Sequence, residues 1–218
     1  MTDNQRSSTT EIHPSNDIEQ GIREYLLARQ FNAAVRAGAA IMKIYKHSDD
    51  YDISLKSDRT PITIADRMAH DTIKRELGET RIPILSEEGR EMRFDERRNW
   101  ELFWLVDPLD GTVEFIKGNN EFTVNIALMQ NNRCICAIIF VPYHHKIYIA
   151  EAGRGSWLIE NVIPDEASSY TFADIVSKAR RLPLAEAQHD NYRVAVPRPP
   201  QTAETHEHIE TLRTEHPD

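Results

Sequence analysis

The sequence predicts an α+β fold, on three observations. Apolar residues recur at helical spacing before any convincing strand, a run of strands separated by tight turns follows, and the chain then returns to one short strand and one helix. Segregated helices and strands of this kind stack as layers rather than wind as parallel βαβ units.

In residues 17–45, Ile18, Ile22, Tyr25, Leu26, Phe31, Val35, Ile41, Met42 and Tyr45 recur at roughly helical spacing with charges between them, which reads as one long or slightly broken helix. A polar turn over 46–58 leads to Thr63-Ile64-Ala65-Asp66, whose Thr and Asp are spaced as a capping box for a second helix ending at Gly78. Residues 82–85 form a short strand running into Ser86-Glu87-Glu88-Gly89. The apolar run 102–106 is a buried strand that Pro108 stops, and 112–117 is a short helix closed by Gly118. Residues 122–129, 133–141 and 146–150 then make an antiparallel meander, with Asn131-Asn132 and His144-His145 at its turns and a further strand at 157–159. Beyond the small, acidic stretch near 164–170 the reading gives a strand at 192–196 and a helix at 202–212. The expected organisation is a disordered polar segment 1–16, an α+β domain 17–165 that carries the metal and phosphate site, and a partial C-terminal α/β domain 166–218.

Composition narrows the function classes. With 218 residues, 40% of them hydrophobic, the chain can bury a real core, and its formal charge of -9 argues against a nucleic-acid polymer as partner, which requires a basic face. Residues 1–16 lack the basic start and apolar stretch of a targeting peptide, and the longest apolar run, 134–141, is far shorter than the ~20 residues of a membrane span. Cys134 and Cys136 lie two apart on one strand, without disulfide geometry, and read as core packing in a reducing cytoplasm. Peripheral association with the inner face of the cell membrane is left open, although no basic amphipathic helix argues for it.

The chemistry gathers at Asp107-Pro108-Leu109-Asp110-Gly111-Thr112, two carboxylates three residues apart on a tight turn after a buried strand. Glu87 lies at the end of another strand, so neighbouring strands bring it to the same sheet edge. Three converging carboxylates require cations, and hard oxygen ligands suit at least two Mg²⁺, with Mn²⁺ as the alternative. The amides of Gly111 and Thr112, at a helix start, offer a seat for a phosphate. The same six residues also describe an ordinary turn, Asp66 is readable as a helix cap alone, and Glu88 as a solvated neighbour.

Ser86-Glu87-Glu88, residues 104–112, Glu114-Phe115-Ile116-Lys117 and residues 121–128 together resemble the inositol monophosphatase superfamily of Mg²⁺-dependent, lithium-sensitive phosphatases. Residues 114–128 are most similar to its bacterial CysQ-type 3′(2′),5′-bisphosphate nucleotidases, and the likeness runs from about residue 22 to about 212. The resemblance implies a layered α/β/α/β/α sandwich with the second domain incomplete. It implies metal ligation by Glu87, Asp107, the backbone carbonyl of Leu109 and Asp110, and phosphate contacts from Gly111, Thr112 and Glu87. Asp66 becomes the catalytic partner of Thr112 in orienting water. The implied substrate is a small phosphorylated nucleotide, adenosine 3′,5′-bisphosphate, converted to AMP and phosphate in sulfate assimilation. The alternatives are an inositol or sugar phosphate as substrate, or a truncated, inactive relative that only binds metal or nucleotide. Val113 stands where this branch carries lysine, Ala195-Val196-Pro197-Arg198-Pro199-Pro200 where it carries a polar segment, and the family's later Trp-Asp-x-Ala-Ala-Gly motif is missing from the sequence. The sequence does not decide the oligomeric state; exposed sheet edges leave a homodimer open.

Overall fold

The computed structural model describes residues 14–45, 54–55, 61–183, 194–196 and 202–216. By compactness the chain divides into two units, 1–182 and 183–218.

Helix α1, Pro14–Tyr45, leaves Ile22 and Tyr25 exposed and is apolar almost all round from Phe31 to Ile41, where Ala33, Ala34, Val35 and Ala37 are also fully buried. Such a helix must be covered on more than one side. Helix α2, Ile64–Gly78, packs along it and buries Ala65, Ala69, Ile73 and Leu77, one residue per turn. Between them the chain forms a two-residue ribbon, β1 (Ser54–Leu55) against β2 (Pro61–Ile62), so strands precede the second helix, contrary to the sequence reading. The capping box at Thr63 forms as its spacing requires: Ala65 N–H donates to Thr63 Oγ1 at 3.1 Å and Thr63 N–H to Asp66 Oδ2 at 2.7 Å.

The sheet has seven strands in the order β3 (Ile84–Ser86), β4 (Leu102–Asp110), β5 (Thr123–Gln130), β6 (Arg133–Val141), β7 (Lys146–Glu151), β8 (Gly155–Ile159) and β9 (Arg180–Arg181). Only β3–β4 is parallel; every later pair is an antiparallel neighbour, as the meander predicts. One face, with Trp104, Val106, Val124, Ile126, Ile138, Phe140, Ile147 and Ile149, is buried in the core with α1 and α2. The opposite face leaves Leu105, Ile139 and Tyr148 exposed. Polar ties cross the core where an apolar contact would strand a backbone group: Gln30 Nε2 donates to Ile126 O at 2.7 Å, and Arg36 donates to Ser168 O at 3.0 and 2.6 Å and to Glu76 Oε1.

Several expectations change. Pro108 does not stop β4, which continues to Asp110; because proline has no N–H to give the ladder, the pairing with β5 instead shifts register between Asp107 and Asp110. A second register shift pairs Leu128 with Cys136 but Met129 with Cys134. The extra residue leaves Cys134 exposed rather than in the core, and Cys136 half-buried with its thiol on Gln30 Oε1 at 3.3 Å. Glu88 is half-buried. Helices α3 (Phe94–Arg97) and α5 (Phe172–Lys178), with β9, were not foreseen. Residues 166–182 are tied to the first compact unit: β9 pairs with β8, and Asn32 exchanges hydrogen bonds with the Tyr170 backbone.

In the second unit, α6 spans Ala203–Glu215, capped by Thr202, close to the 202–212 expected. Val194, Ala195 and Val196 carry no strand, and the rest of the expected 192–196 strand lies outside the described residues. So do residues 1–13, most of the 46–58 turn, Thr60 and 197–201. Among the described residues the sheets are the seven-stranded one and the small ribbon, so the second sheet of a five-layered sandwich is not among them. No described helix is long and apolar enough to cross a membrane.

Candidate active site

Parallel pairing of β3 and β4 is what brings the acids together. Ser86 pairs with Val106, and Glu87 N–H donates to Val106 O at 3.0 Å, so Glu87, just past β3, and Asp107, within β4, stand side by side where the parallel pairing ends. The two carboxyl groups lie close enough for Asp107 to feel the charge of Glu87. Burial, then the charges of Glu87 and Asp110, push the Asp107 carboxyl up to about 7. Asp107 Oδ1 is buried with no hydrogen-bond partner. Asp110 is exposed and accepts from Asn125 Nδ2 at 3.1 Å.

The turn that follows is shaped by Gly111, whose φ of 93° lies in the left-handed region; a Cβ there would stand 2.6 Å from Glu121 O. Gly111 is the N-cap of α4, Thr112–Lys117, and no side chain caps that end. Phe115 anchors α4 by packing against Tyr45 and Phe122 at ring distances of 5.2 and 5.3 Å. Thr112 Oγ1 donates to Asp66 Oδ1 at 3.0 Å and lies 3.3 Å from the Leu109 carbonyl. Asp66 is 1% exposed, and its other oxygen takes both Thr63 N–H and Thr63 Oγ1–H, the latter at 2.6 Å. The carboxylate is therefore cap and partner at once.

Asp66 and Thr112 thus meet, and Glu87 and Asp107 meet. The three-way convergence expected of Glu87, Asp107 and Asp110 is incomplete: among the described residues no three His, Cys, Asp or Glu side chains form a metal-binding group. The reason is visible in the neighbours, since Asp107 stands beside Glu87 while Asp110 is held by Asn125 from the adjacent strand. The donor set nevertheless fits a hard divalent cation. It is all oxygen, and the buried, unpartnered Asp107 Oδ1 is the kind of atom a cation satisfies. Beside it opens a cavity of about 600 Å³, with Ser86, Glu87, Asp107 and Asn125 on its polar side and Leu105 and Ile139 on its apolar side.

Two residues escaped the sequence reading. Asn125 faces Asp107 across β4–β5, and the alternation Thr123-Val124-Asn125 was the available signal. His70 contacts Ser86, and its place four residues after Asp66 on α2 was the signal there.

A mixed sheet with two long helices on one face, ending in paired acids and a Thr–Asp contact, defines a class already met in the motifs. Residues 23–211 match the sequence signature of the inositol monophosphatase family, and the chain belongs to that family. Within it, the chain is similar to 3′(2′),5′-bisphosphate nucleotidase CysQ of Buchnera aphidicola, 42% identical over 136 residues, covering 62% of this chain and 51% of that protein. The CysQ protein of Escherichia coli K12 is 42% identical over 123 residues, 56% of this chain and 50% of that one. The chain spans about half the length of these curated relatives. Among solved structures, CysQ from Bacteroides thetaiotaomicron, described as a bacterial member of the inositol monophosphatase family, aligns over 89% of this chain and 70% of its own, with a TM-score of 0.78 and 39% identity. The extragenic suppressor protein SuhB of Bartonella henselae aligns over 67% and 55%, with a TM-score of 0.57 and 28% identity.

Proposed function

We propose that this chain carries the metal- and phosphate-binding half of a Mg²⁺-dependent phosphatase acting on the 3′-phosphate of adenosine 3′,5′-bisphosphate. The observation that carries the reading is the 3.0 Å hydrogen bond from Thr112 Oγ1 to buried Asp66, made across 46 residues of sequence beside the Glu87–Asp107 pair. The nucleotide specificity is supported by the likeness to CysQ nucleotidases over roughly half their length.

Glu87, Asp107, the Leu109 carbonyl and Asp110 would hold the metal. Bound there, Mg²⁺ neutralises phosphate charge and acidifies a water. Asp66 fixes the direction of the Thr112 hydroxyl: because that hydroxyl donates to Asp66, its lone pairs are left to accept a hydrogen from water and so to aim the water's oxygen. The amides of Gly111 and Thr112 face the phosphate oxygens. Water oxygen bonds to phosphorus, the bond from phosphorus to the ribose 3′-oxygen breaks, and that oxygen takes up a proton to leave AMP and inorganic phosphate. On this reading the seven-stranded sheet and its α1–α2 layer are two layers of the α/β/α/β/α sandwich, and the enzyme works in the cytoplasm, where its substrate arises from sulfate assimilation.

The test is phosphate release from adenosine 3′,5′-bisphosphate and from inositol 1-phosphate, side by side, with Mg²⁺ titrated. The expected result is Mg²⁺-dependent release from the nucleotide, lowered about 100-fold or more by Thr112→Val, the size of one lost water-orienting contact. Turnover equal in Asp107→Asn would overturn the site, and preference for inositol 1-phosphate would overturn the substrate.

A further inference from the structure

Helix α2 reaches the site twice. Asp66 receives Thr112 from the turn after β4, and one helical turn later, on the same face, His70 Nδ1 meets Ser86 Oγ at 2.8 Å. Ser86 is the last residue of β3 and immediately precedes Glu87, and it borders the same cavity as Glu87 and Asp107. Its carbonyl accepts from Gly89 N–H at 3.0 Å, which folds residues 86–89 into a tight turn beneath which His70 lies. A Cβ on Gly89 would stand 3.0 Å from Ser86 O and 3.7 Å from the His70 ring, so little room separates the turn from the helix. The backbone of this turn is held by β4 through the bond from Glu87 N–H to Val106 O, and its side chain is held by α2.

We propose, resting on the metal-site reading above, that His70 is a positioning residue which acts through Ser86 to hold Glu87 in register with Asp107. The chemistry explains why an imidazole serves there. Burial lowers the pKa of His70, so the ring stays neutral at physiological pH, with one nitrogen donating and one accepting. The Ser86 hydroxyl is thereby committed to the helix. Without that bond the 86–89 turn loses its tie to α2, and Glu87, the residue after Ser86, loses its fixed register with Asp107. A single rigid helix then sets the spacing between the two halves of the site, the 86–89 turn and the 107–112 turn.

The experiment is Mn²⁺ binding to the full chain, measured by electron paramagnetic resonance, for wild type, His70→Leu, His70→Asn, Ser86→Ala and the His70→Leu/Ser86→Ala double variant. His70→Leu is expected to weaken binding about tenfold, as loss of an outer contact to a ligand-bearing segment does. His70→Asn, whose amide reaches the position of Nδ1, restores affinity to within about threefold of wild type. Ser86→Ala reproduces the loss, and the double variant adds nothing to it, because both changes remove one interaction. Wild-type affinity in His70→Leu and Ser86→Ala, or an Asn variant no better than Leu, overturns the proposal; should the Leu variant fail to fold, the single hydroxyl removed in Ser86→Ala decides it. The ring ¹⁵N shifts of His70 in metal-free protein separate this inference from the metal reading. A ring unchanged by Ser86→Ala overturns the clamp whatever the metal does, whereas wild-type protein that takes up no Mn²⁺ overturns the metal reading itself.

Discussion

Replacing Gly111 by alanine tests whether the phosphate turn is braced from behind by Glu121 and Phe122, the two residues that lead into β5. Two costs add. A non-glycine residue in the left-handed region costs about 1–2 kcal/mol, and the new Cβ would sit 2.6 Å from Glu121 O and 3.3 Å from Phe122 Cα. Those atoms are backbone, and Phe122 is fixed in the core by Tyr45 and Phe115, so the overlap is relieved only by moving the strand, which costs about 1–3 kcal/mol. Gly153 provides the control: its φ is also positive, at 72°, but nothing lies within 4 Å of a Cβ there. Gly153→Ala therefore carries the first cost alone. For a chain of this size each kcal/mol lowers the melting temperature by about 2–4 °C, so Gly111→Ala should melt about 2–12 °C below Gly153→Ala in calorimetric scans with chelator present. Equal melting temperatures would refute the bracing argument.

Other consequences are as direct. Asp107 keeps its proton to about pH 7 in the folded chain but loses it near its ordinary value, 3.8, when unfolded, so the metal-free protein binds more protons folded than unfolded between these values. Its stability should fall as pH rises through that window and Asp107→Asn should flatten the fall; a wild-type minus variant difference that grows with pH would contradict this. Burial, with Glu151 nearby, pushes the Cys136 thiol up to about 12, while Cys134 is exposed. Iodoacetamide at pH 7.5 should therefore label Cys134 alone in the native protein, read by peptide mass spectrometry, and modification of Cys136 before unfolding would refute the burial argument. Arg36→Ala leaves Glu76, 5% exposed, without its shortest ion pair and strips two donors from Ser168 O. A cost of about 3 kcal/mol in urea unfolding is expected, and one below about 1 kcal/mol would mean that Arg29 suffices for Glu76.

What the sequence made legible was local. The capping spacing of Thr63 and Asp66, the apolar periodicity of α1 and the turn residues of the meander each act within a few positions, and each formed where expected. The bulges were not legible, because whether Pro108 ends a strand or shifts its register is decided by β5, and whether Cys134 faces in or out by the pairing of Met129. The site divides in the same way. Glu87, Asp107 and Thr112 could be read from strand ends and a helix start, but the partner of each oxygen, Asn125 for Asp110 and His70 for Ser86, depends on contacts across the fold. Helix α5 and strand β9 are short and find their place only against α1 and β8.

Among the described residues, the sheet's two outermost strands are also its shortest, three residues in β3 and two in β9. Neither offers a ladder long enough to recruit a further strand from another molecule, and β9 consists of two arginines, one seated over Trp157 and the other paired with Glu160. Charge and brevity at a border are how antiparallel sheets escape runaway stacking. Growth of this protein into cross-β fibres should therefore begin from unfolded chains rather than from the native sheet's margins.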